Sequence, residues 1–589
     1  MICMVQSRTH NCNELRLENA GEKVTIVGWY ENMRKVSKNL GFVILRDFYG
    51  TTQVVVETEE MMEILGSVNK ESTISVTGTV RERSNKNLEL PTGEIEVVPE
   101  KIEILGKCIY NALPFEINKS READENFRLK YRYLDLRNPD MKKNIVMRSR
   151  IVAELRQRMN AQGFMEITTP ILTCSSPEGA RDYLVPARNH PGKFYALPQA
   201  PQQFKQILMA SGFDRYFQIA PCFRDEDARA DRSPGEFYQL DMEMAFASQE
   251  DVFAVVEEVL PPVFEKYGIY KTASKAPFVR IPYLEAMDKY GSDKPDLRID
   301  LILTDATQVM DGCGFGPFEG NTVKAIVVDG FTATRKQIDG IMAEVEVQTA
   351  KKAYWFRLDE NGELVGGISK FLQERKEAVI DALGLTKGCF VGLTAGKKLE
   401  AQKTAGVLRK LLGAASEKHM KKDCYEFCWI VDFPMYEIGE ESGELEFCHN
   451  PFSMPQGGMD ALNNQDPLDI LAYQYDLVCN GVELSSGAVR NHDPEIMIKA
   501  FELVGLGEDA VKAKFPAMYN AFCYGAPPHA GIAPGVDRMI MLICGEESIR
   551  EIIPFPMNKN AMDIMMGAPG TVEQKQLDEL HIAITGVEE

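Results

Sequence analysis

Residues capable of acid–base and phosphate chemistry are concentrated in one polar stretch, residues 221–246. Both ends of this stretch alternate polar with apolar side chains, which predicts two strands joined by a polar loop. The polar face of this hairpin carries Arg224, Glu226, Gln239, Asp241 and Glu243. The opposite, apolar face is expected to carry Phe237, Leu240, Met242 and Met244. A charge run alone usually faces solvent, but the apolar partners favour a hairpin whose polar face lines a binding site.

A second candidate lies near the C-terminus, where glycines precede an apolar run within residues 530–542. This pattern predicts a loop that leads into a helix, with Asp537 and Arg538 in its first turn. An acidic residue is ordinary there, but an arginine is not favoured at the positive end of a helix dipole. A phosphate bound at the helix start would give Arg538 a partner.

Residues 475–490 combine two acids with a later arginine. Alternation places Asp476 and Glu483 on a sheet surface, and carboxylates with open coordination suit Mg²⁺ carried by a nucleotide. Arg490 follows a run of small residues that leaves room for a ligand, and a planar guanidinium matches a carboxylate. An ordinary ion pair for Arg490 stays open as the alternative.

The elements that must position these residues begin with a β-rich N-terminal segment. Residues 14–113 contain four to five short alternating strands separated by turns, which predicts a small closed barrel. The OB-fold is the commonest barrel of this size that binds single-stranded nucleic acid. Trp29 and Phe42 could stack on bases while Arg34 and Gln53 contact phosphate or base edges. The alternative, that both aromatic residues belong to the core, stays open.

Three further segments follow the barrel. Residues 114–140 are polar, charged and bracketed by prolines, which favours a linker or hinge. Residues 141–163 carry apolar residues at helical spacing and end on Gly163, so a long helix is expected, followed by a strand that ends at Pro170. Residues from about 290 to 421 contain strands and helices of their own, enough for a separate inserted domain.

Composition bounds the possible functions. At 589 residues the chain is too long for one core. A formal net charge of −21 argues against a general nucleic-acid coat protein, although an enzyme needs only a local basic surface. Apolar runs stay well short of the roughly 20 residues of a membrane helix, and the N-terminus lacks a secretory pattern. Thirteen scattered cysteines without a CxxC pair indicate reduced thiols and a cytoplasmic location.

These motifs together resemble the bacterial-type aspartyl-tRNA synthetases, which belong to subclass IIb of the class II aminoacyl-tRNA synthetases. The predicted long helix and its strand resemble motif 1, FRDE with EFYQLDMEM resembles motif 2, and GIAPGVDR resembles motif 3. PEGARDYLV at 177–185, ALPQAPQQFKQ at 196–206 and HNPF at 449–452 are the more family-specific matches. The resemblance covers nearly the whole chain.

The resemblance implies a role for each matching position. L-Aspartate would be bound by Glu178, Gln202, Gln203, Phe204, Lys205, Arg224, Asp241, His449 and Arg490. ATP would be bound by Arg224, Asp225, Glu226, Gln239, Glu483, Gly535, Val536, Asp537 and Arg538. Catalysis would depend on Arg224, Glu226 and Arg538, with Mg²⁺ held through ATP by Asp476 and Glu483. The tRNA anticodon would be bound by Arg34, Phe42 and Gln53.

The implied fold is α+β and multidomain, and the implied protein is a homodimer. Its expected parts are an OB-fold anticodon-binding domain, a linker, two catalytic segments built on an antiparallel sheet and, between them, an inserted α/β domain. Their bounds are 1–113, 114–140, 141–290, 291–421 and 422–589, where 291–421 is the insertion and the last segment includes a C-terminal extension. Ala200, Asn450, Ala533 and a longer loop at 233–236 depart from the family pattern.

The expected reaction is ATP-dependent activation of aspartate to the adenylate, followed by transfer to the 3′ end of tRNA(Asp). Whether tRNA(Asn) is a second acceptor stays open. Two alternatives also remain. The first is a sister enzyme for asparagine or lysine; the paired cations Lys205 and Arg490 disfavour lysine strongly and asparagine less so. The second is a catalytically silent RNA-binding paralogue, which the intact Arg224, Glu226, Glu483 and Arg538 disfavour.

Overall fold

The structure is a computed structural model that describes residues 7–175, 180–439 and 442–586. The chain forms two compact units, residues 1–119 and 120–589. Each unit has its own hydrophobic core, and each is considered by itself below.

The first unit is a closed five-stranded barrel with strand order β1-β2-β3-β5-β4. Its elements are β1 Lys23–Lys35, β2 Gly41–Arg46, β3 Thr51–Val56, α1 Glu59–Gly66, β4 Thr73–Glu82 and β5 Ile95–Gly106. Alternate residues such as Val24, Ile26 and Val43 fill the interior. Trp29 and Phe42 are half-buried on the outer face and are not core residues. The OB-fold prediction is confirmed.

The second unit contains the remaining strands and helices. Its strands are β6 Met165–Glu166, β7 Leu184–Pro186, β8 Phe194–Ala196, β9 Arg215–Arg224, β10 Gly235–Ala245, β11 Val279–Pro282, β12 Leu303–Asp305, β13 Thr322–Val328, β14 Ala353–Leu358, β15 Leu364–Val365, β16 Phe390–Gly396, β17 Phe427–Pro434, β18 Tyr436–Ile438, β19 Leu445–Phe447, β20 Leu471–Cys479, β21 Val482–Arg490 and β22 His529–Ile532. Its helices are α2 Glu125–Lys130, α3 Arg132–Asp135, α4 Pro139–Ala161, α5 Gln202–Ala210, α6 Gln249–Tyr267, α7 Tyr283–Tyr290, α8 Thr307–Met310, α9 Arg335–Thr349, α10 Lys376–Leu383, α11 Lys398–Ala414, α12 Gly458–Asn464, α13 Pro494–Leu503, α14 Glu508–Lys514, α15 Pro516–Cys523, α16 Val536–Cys544 and α17 Gln574–Leu580.

An eight-stranded sheet of order β11-β17-β20-β21-β22-β10-β9-β6 organises this unit. Its central pairs are antiparallel, and the edge pairs β11–β17 and β6–β9 are parallel. Helices α4, α6 and α16 cover one face, where Ile151, Phe253 and Ile540 belong to one continuous core with Leu240 and Tyr475. The opposite face carries the polar residues of the predicted hairpin. The predicted class II catalytic fold, built on an antiparallel sheet, is confirmed.

Residues between β11 and β17 build a second sheet of order β12-β13-β16-β14-β15. Helices α9 and α11 pack on one of its faces, where Ile338 and Leu408 meet Phe390. Helices α8 and α10 pack on the other face, where Met310 and Val379 belong to a separate core. A sheet covered on both faces by its own helices agrees with an inserted α/β body between the two catalytic segments.

The structure differs from the expected linker at 114–140. Residues 120–140 fold into the second unit as α2, α3 and the start of α4. Arg128 is buried and donates to Glu551 at 2.9 Å, and Arg132 donates to the carbonyl oxygens of Ile553 and Pro554 at 2.8 and 2.9 Å. The charge density that favoured a solvated linker instead forms ion pairs and main-chain contacts inside the fold, because buried charges must be paired. Among the described residues, no helix is long and apolar enough to cross a membrane.

Candidate active site

The hairpin predicted at residues 221–246 is formed by β9 and β10, which pair antiparallel with Arg224 opposite Gly235 and Asp241 opposite Gln218. The prediction for Phe237 was wrong. Phe237 is four positions before Asp241 in the same strand, so both side chains lie on the polar face. There the guanidinium of Arg224 stacks 5.0 Å from the ring centroid of Phe237. Tyr238 instead packs against the core on the opposite face.

A cavity of about 410 Å³ opens over this hairpin, between β10, β21 and the first turns of α5 and α16. The predicted site residues that line it are Gln202, Lys205, Arg224, Glu226, Gln239, Asp241, His449, Glu483, Arg490, Gly535, Asp537 and Arg538. The predicted site residues outside this lining are Gln203, Phe204, Asp225, Asp476 and Val536. Residues 202 and 205 share one side of α5, which turns 203 and 204 away. Glu178 lies outside the described residues.

Four buried charges form the floor of the cavity, and three of them, Lys205, Asp241 and Arg490, line it directly. Lys205 Nζ donates to Asp241 Oδ1 at 2.6 Å and lies 3.4 Å from Glu243 Oε2. Arg490 donates from Nε and Nη2 to the two carboxylate oxygens of Glu243 at 3.0 and 3.3 Å. None of the four side chains is more than 2% exposed. Two cations and two anions therefore balance at the base of the site, as buried charges require.

Burial acts on both carboxylates but with different outcomes. It raises the pKa of Asp241 despite the opposing charge of Lys205. Burial also acts to raise the pKa of Glu243, but Arg490 and Lys205 hold it below its usual value. Glu243 is therefore the ionised partner of both Lys205 and Arg490. The charge of Asp241 is less fully balanced by the neighbouring cations.

Three buried polar atoms of the cavity lining have no hydrogen-bond partner among the described residues: Asp241 Oδ2, Gln202 Nε2 and Ser485 Oγ. They comprise an acceptor, a donor and a hydroxyl. Buried polar groups are normally satisfied, so these atoms favour a small ligand with both acidic and basic groups. Arg490 Nη1 likewise makes no hydrogen bond to any residue in the described ranges.

The glycine-rich segment forms β22 and then α16, as predicted. Arg538 Nη1 donates to the Glu483 carbonyl at 2.9 Å, and its Nη2 lies 3.4 Å from Asp231 Oδ2. Asp537 does more than compensate the helix dipole. It accepts from Arg148 of α4 at 2.5 Å and from the backbone N–H of Tyr238 at 2.9 Å. It thereby ties motif 3 to motifs 1 and 2 and fixes the start of α16 beneath the cavity.

Gly531 allows the charged floor to form. β22 runs between β10 and β21, with Gly531 opposite Glu243 on one side and Ala488 on the other. A Cβ at this position would lie 2.0 Å from Glu243 Oε2. The absence of a side chain therefore lets the Glu243 carboxylate reach across β22 to Arg490.

The end of the cavity near Glu226 and Glu483 adds residues that the sequence patterns did not single out. Glu226 forms an ion pair with Arg232, and Asp231 and Ser233 of the same loop line the cavity beside it. On the next strands, burial and the neighbouring charge of Glu483 raise the pKa of Asp476 well above its usual value. Burial lowers the pKa of His449, whose ring packs edge-on against Phe433 with centroids 5.0 Å apart.

The barrel brings its three predicted residues to neighbouring strands. Arg34 and Phe42 face each other across β1 and β2, with the guanidinium 4.8 Å from the ring centroid. Gln53 on β3 donates from Nε2 to Glu96 at 3.0 Å and accepts from Arg83. The amide of Gln53 is held at both ends. A cation, an aromatic face and an oriented amide on one surface suit single-stranded nucleic acid.

Comparison with known proteins agrees with this geometry. Residues 124–559 match the family described as tRNA synthetases class II (D, K and N), and residues 24–105 match the OB-fold nucleic acid binding domain. The aspartate–tRNA ligase of Streptomyces avermitilis is 52% identical over 99% of both chains. The aspartate–tRNA(Asp/Asn) ligase of Zymomonas mobilis is 52% identical over 98% of both.

Solved structures show the same fold. A putative aspartyl-tRNA synthetase from Leishmania major has a TM-score of 0.60 at 19% identity, with 94% of this chain and 95% of that chain covered. The asparaginyl-tRNA synthetase of Pyrococcus horikoshii has a TM-score of 0.57 at 18% identity, with 94% and 98% covered. On the family match and the full-length relatives together, this chain belongs to the class II tRNA synthetases of the aspartate, lysine and asparagine group.

Proposed function

We propose that this protein is an aspartate–tRNA ligase, which activates L-aspartate with ATP and transfers the aspartyl group to tRNA(Asp). Several full-length relatives at about 50% identity carry this activity in their names. The observation that carries the proposal is the pair Lys205 and Arg490 at the floor of a cavity that also presents unpaired polar atoms. A side-chain carboxylate is the ligand group that two adjacent cations favour most.

In the first step, Lys205 and Arg490 hold the side-chain carboxylate of aspartate, and Asp241 with Gln202 orients its α-amino and α-carboxylate groups. Arg224 bridges the reacting carboxylate and the α-phosphate of ATP, a role that the stacking of its guanidinium on Phe237 at the cavity supports. A carboxylate oxygen attacks the α-phosphorus, a new O–P bond forms, and pyrophosphate leaves. Positioning and charge neutralisation by these cations supply most of the acceleration.

Glu226 and Arg538 bind the two ends of ATP. Glu226 accepts from the adenine amino group once it turns from Arg232, while Gln239 and Gly535 line the cavity between them. Arg538 binds the γ-phosphate with the help of the positive end of α16. The α16 start is held by Asp537 through Arg148 and the Tyr238 backbone, so the phosphate site is rigid before ATP binds.

The residues present fit Mg²⁺ that arrives with ATP. Burial and, after it, the neighbouring charge of Glu483 raise the pKa of Asp476, and a divalent cation beside the two carboxylates would offset both effects. Elsewhere in the described ranges, no three acidic, histidine or cysteine side chains are arranged to hold a metal without the nucleotide. When bound, Mg²⁺ supplies neutralisation of the polyphosphate charge. Asp476 and Glu483 would hold it.

In the second step, the 3′-hydroxyl of the terminal adenosine of tRNA attacks the aspartyl carbonyl. The ester C–O bond forms, the bond to AMP breaks and the hydroxyl proton is released. The enzyme provides positions and charges, with no covalent nucleophile. Arg34, Phe42 and Gln53 bind the anticodon, and discrimination between tRNA(Asp) and tRNA(Asn) is assigned to this surface.

The sister-enzyme alternative is weaker on charge grounds. A site specific for lysine needs an anionic floor without paired cations. The neutral amide of asparagine does not need two cations beside it. The silent-paralogue alternative conflicts with the convergence of Arg224, Glu226, Glu483 and Arg538 on one cavity. Four independent parts of an activation site would not be expected to stay together without catalysis.

Quaternary structure, location and domain bounds are part of the same proposal. Met165, Ile171 and Leu172 leave apolar surface exposed beside α4, which supports a homodimer through motif 1. Sedimentation velocity checks it: a 66-kDa species at micromolar concentration would contradict the dimer. No disulfide joins any two of the twelve cysteines at described positions, which supports a cytoplasmic location. The domain bounds proposed are 1–113 for the barrel, 291–421 for the insertion, and 120–290 with 422–589 for the catalytic domain, because residues 120–140 fold into the second unit.

Aminoacylation with radiolabelled aspartate and separate tRNA(Asp) and tRNA(Asn) transcripts tests the proposal. Label on tRNA(Asp) alone identifies a discriminating enzyme, and label on both identifies a relaxed one. Asparagine and lysine are offered in parallel as competing amino acids. Absence of label together with absence of aspartate-dependent pyrophosphate exchange would contradict the proposed activity.

A further inference from the structure

A lysine at the start of the inserted segment contacts Glu483, which lines the cavity. Lys294 lies between α7 and β12, and its Nζ is 3.4 Å from Glu483 Oε2. The backbone on both sides is anchored. Gly291 donates to the Met287 carbonyl at 3.1 Å, and the carbonyl of buried Asp296 accepts from Arg409 at 3.1 Å. The ammonium is thus held near Glu483 by a fixed main chain.

Glu483 is flanked by two cations, one on each carboxylate oxygen. Arg538 Nη1 lies 3.7 Å from Oε1, and Lys294 Nζ lies 3.4 Å from Oε2. Both separations are at the long end for an ion pair, and the Lys294 side chain is 44% exposed. Such exposed pairs contribute little to stability. Neither ion pair with the Glu483 carboxylate is therefore strong, so a more highly charged ligand can compete with that carboxylate for both cations.

Lys294 Nζ also lies 3.4 Å from Asp293 Oδ2, and Asp476 is a further acid nearby. The cluster therefore has three acids and two cations. This composition suits a polyphosphate accompanied by a metal ion.

We propose that Lys294 is a further nucleotide-binding residue that shares the terminal phosphates of ATP, and of pyrophosphate in the reverse reaction, with Arg538. This inference rests on the proposed function and deepens it. In the free enzyme the ammonium neutralises Glu483. When nucleotide and metal engage that carboxylate, the ammonium transfers to phosphate oxygens, where a compact point charge is well suited. The inserted segment then contributes a side chain to the active site.

The test compares Lys294→Gln and Lys294→Arg with a matched control, Lys289→Gln. Lys289 is a half-exposed lysine on nearby α7 whose ammonium pairs with Glu285 at 2.7 Å instead of with Glu483. Pyrophosphate exchange gives KM values for ATP, pyrophosphate and aspartate. Calorimetry then measures binding of two ligands without turnover. One is the magnesium complex of the β,γ-methylene analogue of ATP, and the other is a sulfamoyl analogue of aspartyl-adenylate, which lacks the terminal phosphates.

Lys294→Gln is expected to weaken ATP, pyrophosphate and the methylene analogue roughly tenfold, the typical effect of losing one charged hydrogen bond. The KM for aspartate and the affinity for the sulfamoyl analogue should not change. Lys294→Arg should retain most of the wild-type affinity, and Lys289→Gln should match wild type.

Unchanged affinity of Lys294→Gln for the methylene analogue would overturn the inference. So would equal weakening of both analogues, or a lower Mg²⁺ requirement with an unchanged KM for pyrophosphate, which would make Lys294 a counter-ion of Glu483 only. If wild-type protein shows no aspartate-dependent exchange, the proposed function fails. Calorimetry with the methylene analogue still decides the role of Lys294 in that case.

Discussion

Arg490 is held in the cavity by a carboxylate from another strand. Its Nε and Nη2 engage both oxygens of Glu243, 247 residues away in the chain, which leaves the guanidinium oriented before any ligand enters. An ordinary ion pair and a ligand-binding arginine were alternatives at the level of sequence. The structure shows the ion pair and places it beside the cavity, so the two roles are compatible.

Replacing Arg490 by lysine keeps the charge but removes the planar fork. We expect kcat/KM for aspartate to fall about 10- to 100-fold, because one ammonium cannot engage Glu243 at two points and the ligand as well. The KM for ATP should change little. Pyrophosphate exchange measures both constants.

Arg409→Lys is the matched control for that substitution. Arg409 is equally buried, but it donates to main-chain carbonyls of Leu301 and Ile299, away from the cavity. Its replacement should lower the thermal midpoint and leave the KM for aspartate unchanged. Equal effects of the two variants on that KM would contradict a ligand-binding role for Arg490.

His529 gives the fold a predictable pH dependence. The ring is fully buried between Pro527 and Gln206, and burial lowers its pKa despite the charge of Glu243. Below the ordinary histidine pKa of about 6.5, the unfolded chain takes up a proton that the folded chain resists. Stability is therefore lost as pH falls from about 6.5 toward the folded-state pKa.

We expect His529→Asn to reduce this pH dependence. The variant should have a lower thermal midpoint than wild type at pH 7.5, and its midpoint should fall less between pH 7.5 and 5.5. Differential scanning calorimetry gives both midpoints, and exposed His190→Asn serves as the control. Parallel declines for wild type and His529→Asn would contradict the assignment.

At the scale of elements, β22 lies between β10 and β21 and lets residues of those two strands contact each other. Gly531 presents no side chain between β10 and β21, and Glu243 uses that space. Strand alternation predicted the polar face of the hairpin, but a local pattern cannot show which strand separates it from Arg490. The alternation of side chains along β10 also explains the correct face of Phe237. A residue two positions from Gln239 must lie on the same face as Gln239.

Gly531→Ala is expected to disturb aspartate binding indirectly, through Glu243 and Arg490. Its Cβ would lie 2.0 Å from Glu243 Oε2 and 2.3 Å from the Met242 carbonyl, so the carboxylate must move and Arg490 with it. We expect at least a tenfold loss in kcat/KM for aspartate, with a loss of stability of about 1–3 kcal/mol. Steady-state exchange kinetics and thermal denaturation measure the two effects.

Gly340→Ala is the control for added volume. Gly340 lies within α9, and a Cβ there meets nothing within 4 Å. Alanine should raise stability by up to about 1 kcal/mol through helix propensity. Its kinetics should match wild type. Wild-type aspartate kinetics in Gly531→Ala would show that the Glu243–Arg490 geometry does not govern the pocket.

At the scale of the whole molecule, two compact units divide the chemistry. The second unit contains every described residue assigned to aspartate and ATP, and the barrel contains every residue assigned to the anticodon. On the proposed assignments, activation depends on the second unit alone, whereas charging depends on both units. Variants of the barrel surface should therefore separate the two half-reactions.

Phe42→Ala removes the aromatic face over which Arg34 stacks. We expect the KM for tRNA to rise by about one to two orders of magnitude, in line with 1–3 kcal/mol per stacked base. Aspartate-dependent pyrophosphate exchange without tRNA should be unchanged. Phe48→Ala, at an exposed phenylalanine of the same unit, is the control. A parallel loss of exchange in Phe42→Ala would mean that the barrel variant is misfolded.

Periodicity and turn residues predicted much of the architecture. The long helix at 141–163 is α4, the barrel strands alternate as their pattern indicates, and the inserted segment forms its own sheet. Residues 120–140 differ because their arginines and acids pair with residues more than 400 positions away. Charge in a local window predicts solvent exposure only when those charges have no distant partners.

The sequence by itself determined the family, the β-barrel, the motifs and the types of charged groups at the site, because these depend on local spacing. Only the tertiary structure decided that Lys205 and Arg490 share a buried floor with Asp241 and Glu243. It alone also showed Gly531 opening a path across β22 and Lys294 beside Glu483. The hydrogen bonds of the floor join residues from 36 to 247 positions apart. Their energetics depend on burial and on opposing charges, which no short stretch of sequence contains.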